Sequence, residues 1–242
     1  MNTTLKAQGM AFSRDAKYLV ILGGLPDFRI SIFDLEKKDL IKMEPTTLKS
    51  KEPIISISFN PKTKNEFCIL TASFIYFYKI LPAFIVSASA QDMEDGEATL
   101  SLDDAYRLEV REFSVANIPI GPEHEGNVHM TSLKWDPFGR IHLCTNTPKL
   151  YQINPSPRET VKRDDQQDRK PLEPKVEQEL TLDSIPMTTL LTQRHMIVSQ
   201  EDGIISWYKI DFPPHDPTQD VKITLESEIE KEYPISDYLG DN

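Results

Sequence analysis

The residues of this chain with the widest range of possible chemistry are five histidines and two cysteines. The closest group of potential metal ligands is Glu123, His124 and Glu125, with His129 nearby. Imidazole and carboxylate groups bind zinc only where the protein holds them rigidly around the metal. This group ends an acidic stretch flanked by glycines, which is typical of a solvent-exposed loop. We therefore expect neither a metal site nor a cofactor site.

Cys144 and His142 are two residues apart on a predicted strand, so their side chains share a face and could touch. A thiol beside an imidazole is one arrangement of a cysteine nucleophile. His142 lies between Ile141 and Leu143, which predicts that the imidazole faces solvent while its neighbours face the core. The position of Cys144 in a repeat, described below, favours core packing of the thiol over catalysis.

Paired carboxylates could serve as a general acid and base, and Asp103-Asp104 and Asp164-Asp165 are examples. Both pairs lie in polar inserts, which do not hold catalytic groups in the fixed geometry that shifted pKa values require. The chain has no Gly-x-Ser-x-Gly elbow. We predict that the protein is not an enzyme, and we assign no catalytic residue.

Gly23 and Gly24 open the stretch GGLPDFRISIFDLE and could form either a phosphate-binding loop or a hairpin turn. A phosphate-binding loop needs a Gly-Lys-Ser/Thr ending and a helix behind it. Here Pro26 and Asp27 follow, and then residues 28–34 alternate apolar and polar side chains as a half-buried strand does. The pattern predicts a hairpin.

The elements that carry these residues recur along the chain as four similar segments, which begin at Met10, Ile57, Leu133 and Thr189. Each segment contains three strands. The first ends in an apolar residue, the second is apolar, and the third has a bulky residue near its end. In three of the segments a polar turn follows the first strand. The strand-end residues are Phe12, Phe59, Trp135 and, less clearly, Leu190. The bulky residues, each followed by a polar one, are Phe33, Tyr78, Ile153 and Tyr208.

This plan is that of a WD-type β-propeller blade, in which Phe33-Asp34 stands where a Trp-Asp pair would be. Cys68 and Cys144 each follow a strand-end aromatic by nine residues, which predicts two equivalent core positions and no disulfide between them. We therefore predict an all-β fold, a partial WD40-like β-propeller with about four visible blades and long acidic or charged loop inserts.

The same reasoning divides the chain into six parts. Two inserts are poor in apolar residues, as expected of loops that cannot bury a core. Within the first insert, Tyr106 to Phe113 alternates and could form an outer strand. The predicted parts are blades one and two at 1–90, an acidic insert at 91–127, blade three at 128–154, a charged flexible loop at 155–179, blade four at 180–212 and an acidic tail at 213–242.

The composition disfavours two classes of partner. A net charge of −11 opposes nucleic-acid binding, which depends on lysine and arginine at phosphates. The longest apolar run, near residues 74–90, is interrupted by Lys79 and Pro82, so no membrane span is expected. Residues 1–9 lack the apolar region of a secretory signal. These features favour a cytoplasmic or cytoskeletal location.

The stretches MAFSRDAKYLVILGGLPDFRISIFDLE and PIISISFNPKTKNEFCIL carry a more specific likeness. The LGG-PD loop followed by the SFNP turn resembles the cilia- and flagella-associated WD-repeat proteins. The likeness covers about two thirds of the chain, excluding the inserts. Phe33 departs from the expected tryptophan. Members of that family are much longer and hold two propellers, so four blade-like units suggest a fragment.

The resemblance implies a non-catalytic scaffold of the ciliary or flagellar axoneme, of the type that tethers dynein-arm machinery to doublet microtubules and supports ciliary motility. The implied partners are other axonemal proteins, including inner-arm dynein subunits and a companion WD-repeat protein, and the doublet microtubule, directly or indirectly. The alternative is a general intracellular WD-repeat scaffold of an RNA-processing or protein-degradation complex.

Overall fold

The structure is a computed structural model that describes residues 7–24, 29–45, 48, 52–82, 106–119, 128–156, 173–192, 194–211 and 222–229. Within these ranges it holds four sheets of four strands each, and in every sheet the strand order follows the sequence. The all-β prediction is confirmed. The chain forms two compact units, of which one holds the first two sheets and the other the last two.

The first sheet shows why its sequence alternates. Val20 and Leu22 on the second strand and Ile30 and Ile32 on the third are fully buried on one face. Leu22 pairs with Ile30 across an antiparallel ladder, so the segment from Gly23 joins two strands of a hairpin, as predicted. The strands are β1 (Ala7–Phe12), β2 (Tyr18–Gly23), β3 (Arg29–Asp34) and β4 (Asp39–Pro45).

The second sheet is built around aromatic side chains. The ring of Phe67 stacks on Tyr78 with centroids 4.9 Å apart, and Phe59 packs against Phe67 at 5.4 Å. The predicted outer strand at Tyr106 is confirmed as the fourth strand of this sheet. The strands are β5 (Ser56–Phe59), β6 (Glu66–Leu70), β7 (Phe74–Pro82) and β8 (Tyr106–Ser114).

In the third sheet the second strand is buried on both faces. All five of its residues are inaccessible to solvent, including His142. The prediction that His142 faces solvent is therefore wrong: the middle strand of a blade has protein on both sides, so alternation does not imply exposure. The strands are β9 (Met130–Trp135), β10 (Ile141–Thr145), β11 (Lys149–Asn154) and β12 (Lys175–Thr181).

The fourth sheet packs one face against the third. Cys144 and Leu150 of the third sheet share a core with Met196, Val198 and Tyr208 of the fourth. The contact buries alternate residues of the fourth sheet and leaves the intervening ones on its other face. The strands are β13 (Pro186–Leu191), β14 (His195–Gln200), β15 (Ile205–Asp211) and β16 (Lys222–Ile229).

Two predicted boundaries need correction. Strand β12 starts at Lys175, within the loop predicted at 155–179, and strand β16 lies within the tail predicted at 213–242. Both are outer strands with few buried side chains, so their sequences are polar and resemble loops. Glu123, His124 and Glu125, the potential ligands for which no metal site was expected, lie outside the described residues.

Candidate functional site

In each described sheet the first strand is followed by a turn in which a polar side chain accepts a backbone hydrogen bond. Ser13, Asn60, Asp136 and Thr192 are the residues that come directly after β1, β5, β9 and β13. Each accepts at least one backbone N–H with its side-chain oxygen. Because the fourth turn starts at Thr192, the first strand there ends at Leu191, one residue later than the predicted Leu190.

Asp136 holds the most completely enclosed of these turns. Its Oδ1 accepts hydrogen bonds from the backbone N–H groups of Phe138 and Arg140 at 2.8 and 2.9 Å. Its Oδ2 lies 3.5 Å from Nε2 of His142, and neither side chain is exposed to solvent. The pair therefore lies in the interior of the blade, where the turn meets the second strand.

The thiol of Cys144 lies on the same strand as His142, yet its environment suits packing. Burial raises the pKa of Cys144 to about 11, and a hydrogen bond with Ser132 opposes that shift only in part. Since the thiolate is the nucleophilic form, a thiol with a raised pKa is unreactive at neutral pH. Cys68 is also buried and outside any disulfide, as the repeat predicted.

A buried polar network links three strands of the fourth sheet. Nε2 of Gln200 donates to Ser206 Oγ at 2.7 Å, and the Ser206 hydroxyl donates to Glu228 Oε1 at 3.0 Å. Oε1 of Gln200 accepts the backbone N–H of Ser184 at 3.0 Å. Sequence analysis missed this network, although a glutamine and a serine at inward positions of strands β14 and β15 were a visible signal.

Over the described ranges, no group of three or more His, Cys, Asp or Glu side chains is placed to hold a metal ion. In the same residues, no helix is long and apolar enough to cross a membrane.

The first exposed candidate is the rim formed by the turns of the first compact unit. Nη1 of Arg14 donates to the carbonyl of Pro61 at 3.4 Å, and Lys64 Nζ lies 3.2 Å from Asp15 Oδ2. The hydrogen bond from Ser13 lowers the pKa of Asp15, and Lys64 adds to that effect. Consecutive turns are thereby joined into one charged surface suited to protein contacts.

The sequence also predicts two local basic patches that could meet an acidic partner, Lys37-Lys38 and Lys49 to Lys51, and the structure describes the first of them. Lys37 Nζ lies 5.9 Å from the ring centroid of Tyr106, and Lys38 adopts a left-handed backbone with φ 59°. Pairing with Glu36 raises the pKa of the nearby Lys17. The other predicted patch, Lys49 to Lys51, lies outside the described residues.

No family model and no curated protein matches the chain. Solved structures do match. The β-propeller domain of Cps50 (Swd1) from Myceliophteria thermophila superposes with a TM-score of 0.59 at 12% identity, over 93% of this chain and 58% of that one. Raptor from Chaetomium thermophilum superposes with a TM-score of 0.54 at 10% identity, over 96% of this chain and 17% of that one. The chain thus spans less than two thirds of either protein.

The comparison and the sheet order agree on the architecture. Each sheet is an antiparallel meander whose strands are consecutive in sequence, which is the construction of a propeller blade. At these identities the likeness shows the fold alone. The fold is a WD40-like β-propeller, of which the described part of the chain forms four blades.

Proposed function

We propose that this protein is a non-catalytic WD-repeat scaffold of the ciliary or flagellar axoneme, which tethers dynein-arm machinery to doublet microtubules and supports motility. The observation that carries the proposal is the pair of motifs LGG-PD and SFNP, which resemble the axonemal WD-repeat family. Both belong to the first compact unit, where LGG ends β2 and SFNP ends β5 and begins its turn.

The buried polar groups support a scaffold rather than an enzyme, because they contact neighbouring turns and strands of the blades. Asp136, His142 and Gln200 are buried: Asp136 and Gln200 accept backbone N–H groups of neighbouring turns, and His142 lies 3.5 Å from Asp136. The Cys144 thiol has a raised pKa. The charged turns are the surface that we assign to partner contacts, because propellers bind partners through loops held on a rigid frame.

Charge favours an indirect attachment to the microtubule. Tubulin presents an acidic outer surface, which would repel a chain of net charge −11. Attachment through inner-arm dynein subunits or a companion WD-repeat protein avoids this repulsion. A direct contact would need a local basic patch such as Lys37-Lys38 or Lys49 to Lys51.

Co-sedimentation tests the proposal. The purified chain is mixed with bare microtubules, with salt-stripped axonemal doublets and with doublets that keep their associated proteins. We expect it to pellet with unstripped doublets only. In ciliated cells the tagged chain should stay with the axoneme after detergent extraction. A chain that stays soluble in every mixture and leaves the cell with the detergent would contradict the axonemal function.

A charge-reversal pair identifies the route of attachment. Lys37→Glu with Lys38→Glu removes one predicted basic patch, while Lys62→Glu in the turn after β5 is a matched control. Indirect attachment predicts less than about a twofold change for both variants. A loss confined to the Lys37/Lys38 variant would instead identify a direct contact with tubulin.

A further inference from the structure

The first sheet buries one face only. Its inner face packs on the second sheet, where Gly9 of β1 approaches Ile57 of β5 so closely that an added Cβ would lie 2.9 Å from the Ile57 Cγ2. The buried residues Val20 and Ile32 belong to this face. The other face of the sheet is turned away from the second sheet.

That other face is apolar. Strand register places Phe12, Leu19, Phe33 and Leu40 in one row across all four strands. A second row holds Met10, Ile21, Ser31 and Met43. Phe12 is 55% exposed and Met10 58% exposed. We call these two rows the Phe12 face. Among the described strand residues that point to this face, the charged one is Arg29, the first residue of β3.

The fourth sheet also has exposed apolar residues, on the face that is turned away from the third sheet. Leu190, Ile197, Trp207 and Ser227 form one row, and Thr188, Ser199, Ile205 and Ile229 form the next. Leu190 is 59% exposed and Trp207 36% exposed. We call these rows the Trp207 face. Described charges flank it at one end, where Glu226 lies 3.5 Å from His195 and Lys209 3.2 Å from Asp211.

Both faces have the composition of a contact between blades. Blades of a propeller pack through both faces, so each has an apolar side toward the preceding blade and another toward the following one. The Swd1 propeller domain is matched over 58% of its length, so the given sequence spans only part of that domain. Large contiguous apolar patches on a soluble protein mark interaction sites.

The two faces correspond to the two opposite sides through which blades pack on each other. The Phe12 face is the side of the first blade that would meet a preceding blade, and the Trp207 face is the side of the fourth that would meet a following one. Within each compact unit, contacts join these two kinds of side: the first sheet packs on the second, and the third on the fourth. A contact between a Trp207 face and a Phe12 face would repeat that arrangement.

We propose that the Trp207 face of one copy of this chain docks on the Phe12 face of a second copy. The contact is heterologous, since it joins two different surfaces. It would bury the aromatic rings of Trp207, Phe12 and Phe33 together with the aliphatic rows around them. Aromatic residues of this kind provide much of the energy of protein interfaces.

The experiment measures mass in solution by light scattering and sedimentation velocity. The intact chain, 27.7 kDa, should give a mass above the monomer that rises with concentration. Phe12→Glu removes one face and Leu190→Glu removes the other. Each variant should be monomeric alone, with its dissociation constant raised at least about a hundredfold by a buried unpaired charge.

Mixing the two variants gives the decisive result. The Phe12→Glu chain keeps its Trp207 face and the Leu190→Glu chain keeps its Phe12 face, so the mixture should form a one-to-one heterodimer. Phe138→Glu, at an exposed apolar residue of the turn after β9, should associate as the unchanged chain does. Circular dichroism and melting of each variant confirm that the sheets are folded.

Three results would overturn the proposal. The intact chain could be a monomer at about 100 µM, a concentration at which even a weak specific contact is populated, which would leave the faces to blades of another protein. One single variant could still dimerise, which would indicate a contact of one face with itself. The mixture of folded variants could stay monomeric, which would exclude pairing of the two faces.

Discussion

The imidazole of His142 lies 3.5 Å from the carboxylate of Asp136, in a place where both side chains are completely buried. The carboxylate also accepts two backbone hydrogen bonds with its other oxygen. Asp136 thus connects the turn after β9 to the middle of β10. The turn after β9 therefore belongs to the core of its blade.

The Asp136→Ala variant should lose about 3 kcal/mol of unfolding free energy, because two backbone N–H groups lose their acceptor where water is scarce. Asp136→Asn keeps an acceptor oxygen and should lose about 1 kcal/mol. Urea denaturation measures both. Asp202→Ala is the matched control, since Asp202 caps an exposed turn through one hydrogen bond from Ile204 and should cost less than about 1 kcal/mol. Equal losses at the two turns would contradict a core role for Asp136.

The raised pKa of Cys144 predicts a dependence of stability on alkaline pH. Burial raises the pKa of this thiol to about 11 in the fold, from an ordinary value of 9.0. Above pH 9 the unfolded chain releases this proton and the folded chain retains it, so unfolding becomes more favourable as pH rises toward 11. The unfolding free energy is unaffected by this thiol below pH 9, falls as pH rises from 9 to 11, and has lost on the order of 3 kcal/mol once the folded thiol is also ionised above pH 11.

Subtracting the same profile for Cys144→Ala isolates this contribution, because tyrosines that titrate in the same range are present in both proteins. The difference should be flat below pH 9 and slope downward above it. A thiol reagent at pH 8 should modify Cys144 only as fast as the protein unfolds. Rapid labelling of the folded chain would show that the thiol is accessible.

Gly9→Ala should destabilise the contact between the first two blades. The new Cβ would lie 2.9 Å from Ile57 Cγ2, closer than packed carbon atoms approach, so β1 or Ile57 has to shift. The expected cost is about 1–3 kcal/mol. The cost should shrink when Ile57 is replaced by alanine, and a double-mutant cycle measures that coupling. An additive pair would show that Gly9 matters for another reason.

Gly23→Ala is the matched control for Gly9. Its Cβ would meet the backbone oxygen of Arg29 at an ordinary 3.5 Å, and Gly23 is not among the described residues with positive φ. The change should be neutral or stabilise by about 0.4–1 kcal/mol through the unfolded chain. A melting temperature that falls as far as that of Gly9→Ala would contradict this assignment.

Limited proteolysis tests the charged loop. Trypsin should cut first between Arg158 and Arg169, where the sequence is rich in charge and poor in apolar residues. Cleavage at Lys175 should be slower, because Lys175 is the first residue of strand β12. Mass spectrometry of the early fragments gives the order. Early cuts in β12 would contradict its place in the third sheet.

The sequence predicted the inner strands of the blades well, because their apolar residues are tightly spaced and their turns contain residues such as Asn60 and Asp136. It predicted a half-buried strand with alternating side chains over residues 28–34, and Ile30, Ile32 and Asp34 on one face of β3 are buried. The outer strands β12 and β16 were missed, since both are rich in polar residues and neither has a fully buried side chain. The burial of His142 was missed because strand alternation cannot show what covers each face.

The order of the strands also bears on how the chain folds. Within each sheet every strand pairs with its neighbours in sequence, so most ladders close short loops, which favours fast folding. The first sheet has short connections throughout, whereas β8 has to return across the segment from Pro82 to Tyr106 and β12 across that from Asn154 to Lys175. Closing those longer loops costs more chain entropy. We therefore expect the first blade to complete its hydrogen bonding early, while the second and third gain their outer strands late.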